Sequence, residues 1–423
     1  MFKTFANAWK IPEIRTKILF TLLMIVVYRI GAWIPVPGVS AEYIASQVEG
    51  TEFLGFLNMF SGGSLANFTI FALGIIPYIN ASIIMQLLTV AIPRLERMSK
   101  EGDDGRKKIA SITRYLGVIL GLVQAIGVIA GLGPQAVEPN ATWFTYVTIV
   151  ACLTAGTALM IWIGERITEK GIGNGISMLI FIGIVSGLPS MLMDIFGRVG
   201  PGPDDLNFWI IPLLIGVAFL IVLAITFVDL GERRIPVQYA KRVVGRKMYG
   251  GQSTHIPMKV NQSGVMPLIF AMTLLAFPSM IAGFLADDNG FKLWYAQYGG
   301  PGTPFYVIMT FVLILFFTYF YSTIAFNPVD VSKNLQQNGG FIPGIRPGKP
   351  TSDYLAKILS RITLFGAIFL AAVAALPMLF TTITGAAASF GATSILIMVS
   401  VALETTRQLE AQMMMRHYKG FLN

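Results

Sequence analysis

Bond-making chemistry needs a small set of side chains, and this sequence is poor in them. Two histidines, His255 and His417, and one cysteine, Cys152, are scattered over 423 residues. A single cysteine excludes a disulfide framework and any multi-cysteine metal site. Two histidines outside the apolar segments leave nothing for a histidine-based catalytic centre or proton relay. No Ser/His pair, paired aspartate or metal motif falls in an apolar segment, and no P-loop is present. Neither enzymatic activity nor a cofactor is expected. Charges inside apolar runs are also rare. Arg29 sits near the end of one and can snorkel to the surface. Asp229 and Glu404 lie near the ends of others. None suits proton or sodium coupling, for which transporters place carboxylates at mid-membrane.

What the sequence does repeat is isoleucine at matched positions. GIIPYI at 74–79 corresponds to GVMPLI at 264–269, both Gly-x-x-Pro-x-Ile at the start of an apolar run. ISMLI at 176–180 corresponds to TSILI at 393–397, aligned on Ser177 and Ser394. Ile79 pairs with Ile269, and Ile180 with Ile397. Ile75 and Ile176 lie one helical turn before Ile79 and Ile180. Gly/Pro breaks at corresponding places in two halves of a membrane protein mark the region of its transport site. Isoleucines aimed at one axis would make a constriction that resists water and ions. The alternative is that they only pack.

These residues need elements to hold them. The chain is 54% hydrophobic and 13% charged, against about 25% charged in soluble domains. That excludes a soluble enzyme, a nucleic-acid-binding domain and a disordered chain. Ten apolar segments stand out: 18–36, 73–92, 112–132, 143–163, 174–196, 208–229, 262–285, 304–326, 356–379 and 391–406. Their lengths suit helical spans and exceed barrel strands of about ten residues. Lys3, Lys10 and Lys17 precede a run as long as a full span with no small-residue cleavage site after it, so a cleavable signal peptide is not expected. Ten spans put both termini on one side. With that topology 28 of the 31 Lys and Arg fall on the side of the termini, leaving Arg198 and Lys292 opposite and Arg29 within a span. The termini are therefore expected in the cytoplasm. Five spans per half make the halves, 1–200 and 201–423, inverted in the membrane. Segment 38–72 is too polar to span and too apolar for an ordinary loop. It either lies flat on the surface or folds back into a cavity between helices. Loops 230–261 and 327–355 are basic, Gly-rich and sized for folded projections.

The motifs FALGIIPYINASIIMQLL (71–88), WIGERITEKGIGNGISMLI (162–180), RIGAWIPVPG (29–38), NMFSGGSL (58–65), AKRVVGRKMYGGQSTHIPMKVN (240–261) and FNPVDVSKNLQQNGGFIPGIRPG (326–348) resemble the bacterial SecY family of protein-conducting channels. The resemblance covers nearly the whole chain. It implies an all-α polytopic membrane protein with ten transmembrane helices in two inverted five-helix halves, a clamshell with a re-entrant plug. The pore ring would be Ile75, Ile79, Ile176, Ile180, Ile269 and Ile397. The plug would lie around 54–67, with Phe56, Leu57, Met59, Phe60, Gly62 and Gly63. A lateral gate would carry the polar residues Asn80, Gln124 and Thr273, for which ordinary interhelical hydrogen bonding is the alternative. Lys241, Arg242, Arg246, Lys247 and Arg346 would dock the SecA motor ATPase and the ribosome. Implied partners are SecE, SecG, signal peptides, secretory precursors and membrane lipid, in the bacterial cytoplasmic membrane. The competing reading is a secondary transporter for a small solute, supported by the repeat and the Gly/Pro breaks.

Overall fold

The structure, a computed structural model, describes residues 8–50, 52–139, 141–197, 210–239, 242–244, 247–249, 253–285, 289–300, 303–384 and 392–419. In chain order the first elements are α1 (Pro12–Gly31), α2 (Ala41–Gly50), α3 (Glu52–Phe60), α4 (Ile76–Ala91), α5 (Pro93–Lys100), α6 (Asp103–Leu132), α7 (Trp143–Lys170) and α8 (Gly175–Gly197). There follow α9 (Ile210–Leu230), β1 (Glu232–Tyr239), β2 (Arg242–Val244), β3 (Lys247–Tyr249), β4 (Ser253–Lys259) and α10 (Met266–Phe284). The last are α11 (Gly290–Trp294), α12 (Pro304–Ala325), α13 (Pro328–Gln337), β5 (Gly340–Phe341), α14 (Lys349–Thr384) and α15 (Ala392–Lys419).

Each of the ten expected spans falls on a helix. Among the described residues, α6, α7, the stretch Pro304–Gln337 and Lys349–Leu376 of α14 are long and apolar enough to cross a membrane by themselves. Others fall short for identifiable reasons. The α1 helix carries Glu13, Arg15, Lys17 and Arg29. The α4 helix has only 16 residues, because Gly74 takes a left-handed φ of +58° and keeps 71–75 out of the helix. Its far end stops at Ile92, which is extended before Pro93, and the chain bends by 101° into α5.

Two compact units emerge: Met1–Ile211 with Ala276–Pro301 and Val401–Asn423, and Pro212–Leu275 with Gly302–Ser400. In the first unit α6 shows how helices pack when lipid removes the usual apolar drive. Its buried face runs Thr113, Gly117, Gly121, Ala125 and Ile129, every fourth residue and mostly small. Gly117 faces the Tyr78 backbone and Gly121 faces Thr157, at distances only small residues allow. The large residues Ile119, Val123 and Ile126 point outward. A core at one end of this unit joins Val36, Ile44, Leu65, Phe68, Leu73, Ile129 and Leu153.

In the second unit the two basic loops fold together. Strands β1 and β4 pair antiparallel from Glu232↔Lys259 to Gln238↔Ser253, and β5 joins the other edge of β1 at Gln238↔Phe341. Ile235, Val237 and Met258 of this sheet pack on Leu335, Ile342, Leu355 and Leu359. The second loop thus supplies half of the core under the first. Strands β2 and β3 make a separate hairpin, with Arg242 opposite Tyr249 and Lys247 opposite Val244.

Candidate functional site

The repeat read from the sequence is matched by local geometry. Gly74 and Gly264 have φ of +58° and +62°. Helices α4 and α10 each begin two residues later, with Pro77 and Pro267 in their first turns. There proline's missing N–H breaks no helical bond. Ile79 and Ile269 are each the fourth residue of their helix. Ile180 and Ile397 are each the sixth residue of α8 and α15. Ile75, Ile79, Ile180, Ile269 and Ile397 are all buried, and Ile176 is half-buried against Gly164.

The segment after α3 enters the first unit. Phe60, Ser61, Ser64 and Leu65 are buried, which excludes a flat surface helix for this stretch. Its turn is braced internally: the Ala66 N–H donates to Asn58 Oδ1 at 2.9 Å, and the Leu65 N–H donates to Ser61 Oγ at 3.2 Å. Gly62, at φ +65°, lies so close to Gly183 of α8 that a β-carbon on it would come 2.9 Å from the Gly183 Cα. A β-carbon on Gly183 would meet the Phe60 carbonyl oxygen at 2.9 Å. Gly183 is three residues beyond Ile180, about 4.5 Å along the helix. The re-entrant turn therefore sits one turn from a candidate ring residue. From α1, the Tyr28 hydroxyl donates to the Ser61 carbonyl at 3.2 Å and Arg29 Nη1 to the Gly62 carbonyl at 3.5 Å. Arg29, half-buried, also reaches the turn's backbone. Gly63 lies in the same turn, at φ +85°. Leu57 packs on the core at the end of the unit. The side chains of Phe56 and Met59 lie outside the described residues.

Asn80 and Gln124 are on neighbouring helices but do not meet. Tyr78 faces Gly117, whereas Ala72 and Leu73 share a core with Ala125 and Ile129, so α4 and α6 run antiparallel. Asn80 and Gln124 are thereby offset by roughly 10 Å or more along the pair. Asn80 is buried with its Oδ1 unpaired, and Thr273 is buried in the second unit. Arg346 is exposed on a loop fixed at both ends. Its carbonyl accepts from Thr351 Oγ1 at 2.8 Å, the Gly348 carbonyl accepts from Ser332 Oγ at 2.7 Å, and Ile342 is buried. Lys241 and Arg246 lie outside the described residues, as do the side chains of Arg242 and Lys247.

The family model for SecY matches residues 69–406. The chain belongs to the SecY family. The protein translocase subunit SecY of Streptomyces galbus is 47% identical, with all of both chains covered. That of Halalkalibacterium halodurans is 45% identical over the same full coverage. Among solved structures, the chain is similar to "The structure of a protein conducting channel", with a TM-score of 0.67 at 21% identity over 96% of each chain. It is also similar to a SecY whose plug domain is described as stabilising the closed state, with a TM-score of 0.65 at 20% identity over 96% of each chain. The fold is thus the predominantly helical, polytopic membrane fold of SecY-family channels, and the small-solute transporter reading is set aside.

Two features of this SecY-family chain escaped the sequence reading. One is the grip of Tyr28 and Arg29 on the turn, although RIGAWIPVPG begins with that arginine. The other is a polar knot in the second unit. Asp229 at the end of α9 accepts from Asn261 Nδ2 at 2.8 Å through one oxygen and from the Ser400 hydroxyl of α15 through the other. Three remote segments share one carboxylate, and no local pattern in the sequence signals that.

Proposed function

We propose that this chain is the channel subunit of a protein translocase. It is a passive conduit for unfolded secretory polypeptides across the bacterial cytoplasmic membrane, and it releases membrane proteins laterally into the bilayer. The observation that carries this reading is the buried turn 60–64, seated against Gly183 one turn from Ile180, in a member of the SecY family. A chain segment that enters the bundle beside an isoleucine has the form of a stopper over a constriction.

In this reading Ile75, Ile79, Ile176, Ile180, Ile269 and Ile397 form the ring, and segment 54–67 is the plug. Asn80, Gln124 and Thr273 belong to the lateral gate, with spans two and three on one side and seven and eight on the other. Both termini are cytoplasmic, as the one-sided distribution of Lys and Arg supports. The folded basic loops form a platform for SecA or the ribosome, with Lys241, Arg242, Arg246, Lys247 and Arg346 as contacts. SecE and SecG complete the complex. The driving energy comes from these partners, and the chain itself performs no catalysis. The test is reconstitution with the partner subunits in vesicles, followed by import of a secretory precursor with SecA and ATP. Protease-protected precursor that depends on this chain supports the reading. ATP-dependent binding of the precursor without protection would overturn it.

A further inference from the structure

The described part of the connection between α10 and α12 holds an aromatic helix that the channel reading leaves unused. Within the first unit, α11 and the widened turn that continues it cover Gly290–Gly299. Phe291, Trp294, Tyr295 and Tyr298 recur at i, i+3, i+4 and i+7, which places them on one face. Phe291 lies over Trp294 and Tyr295, with ring centroids 6.1 and 6.3 Å apart. Three of the four rings are open, Phe291 38% exposed, Trp294 44% and Tyr298 53%, whereas Tyr295 is half-buried. Lys292 and Gln297 lie off this face.

Three observations set the depth of this helix. The 19 residues of α10 span about 28 Å, close to the roughly 30 Å of a hydrocarbon core. The end of α10 therefore reaches the headgroup boundary. Lys292 Nζ donates to the Leu285 carbonyl at 3.3 Å, which ties α11 to that end at the length of one side chain. On α10 itself, Phe277 and Ile281 are exposed one turn apart, so the outward apolar surface of the span leads up to the aromatic face.

We infer that Gly290–Gly299 is a membrane-interface anchor, lying in the headgroup layer with its aromatic face toward the acyl chains. The occupant of that face is phospholipid. Rings with an apolar body and a polar edge favour this layer over both water and hydrocarbon. The lysine bond makes the anchor hold the end of α10 at a fixed depth. The inference rests on α10 being a membrane span, and the experiment separates the two.

In a Cys152→Ala background, nitroxides are attached at Ile281→Cys and, separately, at Tyr298→Cys. The protein is placed in vesicles of phosphatidylethanolamine and phosphatidylglycerol. Collisions with dissolved oxygen and with a water-soluble nickel chelate are measured by power saturation. The label at 281 should favour oxygen several-fold, and the label at 298 should report an intermediate depth near the phosphates. A label at 298 that meets the chelate freely, with 281 still in lipid, overturns the anchor and leaves the span. A label at 298 reached by neither collider means that protein covers the face, which also overturns the anchor. Chelate access at 281 removes the span and the anchor together. A second measurement needs no cysteine. The fluorescence difference between the unaltered protein and Trp294→Phe should be quenched more by shallow bromolipids than by deep ones or by aqueous iodide. Dominant quenching by iodide, or none by any agent, overturns the inference.

Discussion

Gly62 and Gly183 leave each other no room, and that contact decides where the re-entrant turn rests. Alanine at 62 would add strain of about 1 kcal/mol for its left-handed backbone, besides the clash with the Gly183 backbone. Gly62→Ala should therefore unseat the turn and raise ion leakage through the idle channel in planar bilayers. Gly183→Ala should do the same from the opposite side, through the Phe60 carbonyl. Normal conductance in both variants would show that the seat does not seal. Arg346 poses a different question at the same scale. It is exposed, yet its loop is pinned by Thr351 and Ser332, so the guanidinium is presented from a stiff base. Lysine keeps the charge but loses the planar pair of donors. Arg346→Lys should leave insertion and orientation intact and markedly lower SecA-driven transport, with Arg346→Glu worse. Transport and the translocation ATPase of SecA, in vesicles matched for channel content, check this. A Lys variant at the normal rate would reduce the residue to a topology charge.

At the scale of elements, the Asp229 knot joins the end of α9, the approach to α10 and the body of α15. Asp229→Ala leaves the Asn261 amide and the Ser400 hydroxyl without their acceptor. The expected loss is about 2–3 kcal/mol, read as a lower thermal midpoint of the purified protein in detergent. Ser400→Ala removes one donor and should cost less. Equal midpoints for all three proteins would mean that water replaces the carboxylate freely. This knot also shows where sequence reasoning stops. The spans were legible because an apolar run of about 20 residues has few other fates in a membrane protein. The repeat was legible because a left-handed glycine followed by a first-turn proline is a local device. The shared core under the two basic loops was not legible, since Ile235 and Leu355 are 120 residues apart and nothing local couples them. The grip on the turn was hidden for a similar reason: Tyr28 and Arg29 bind carbonyls, which every residue has.

For the whole molecule, the proposed constriction needs six isoleucines acting together. Replacing Ile79, Ile180 and Ile269 by serine should wet the constriction and raise resting conductance to small ions. Unchanged conductance in planar bilayers would remove the ring from the account. The triple variant tests the assembled ring, whereas the glycine variants test only the stopper beside it, so the two sets need not give the same leak. The hydrogen bonds from α1 to the turn bear on how the sequence can vary. Tyr28 and Arg29 recognise only the main chain of Ser61 and Gly62. A latch of that kind is indifferent to side-chain identity. Ser61 and Gly62 should then tolerate only changes that keep this path of the backbone. In a saturation mutagenesis library selected for secretion, tolerance should fall abruptly at Gly62 and Gly183.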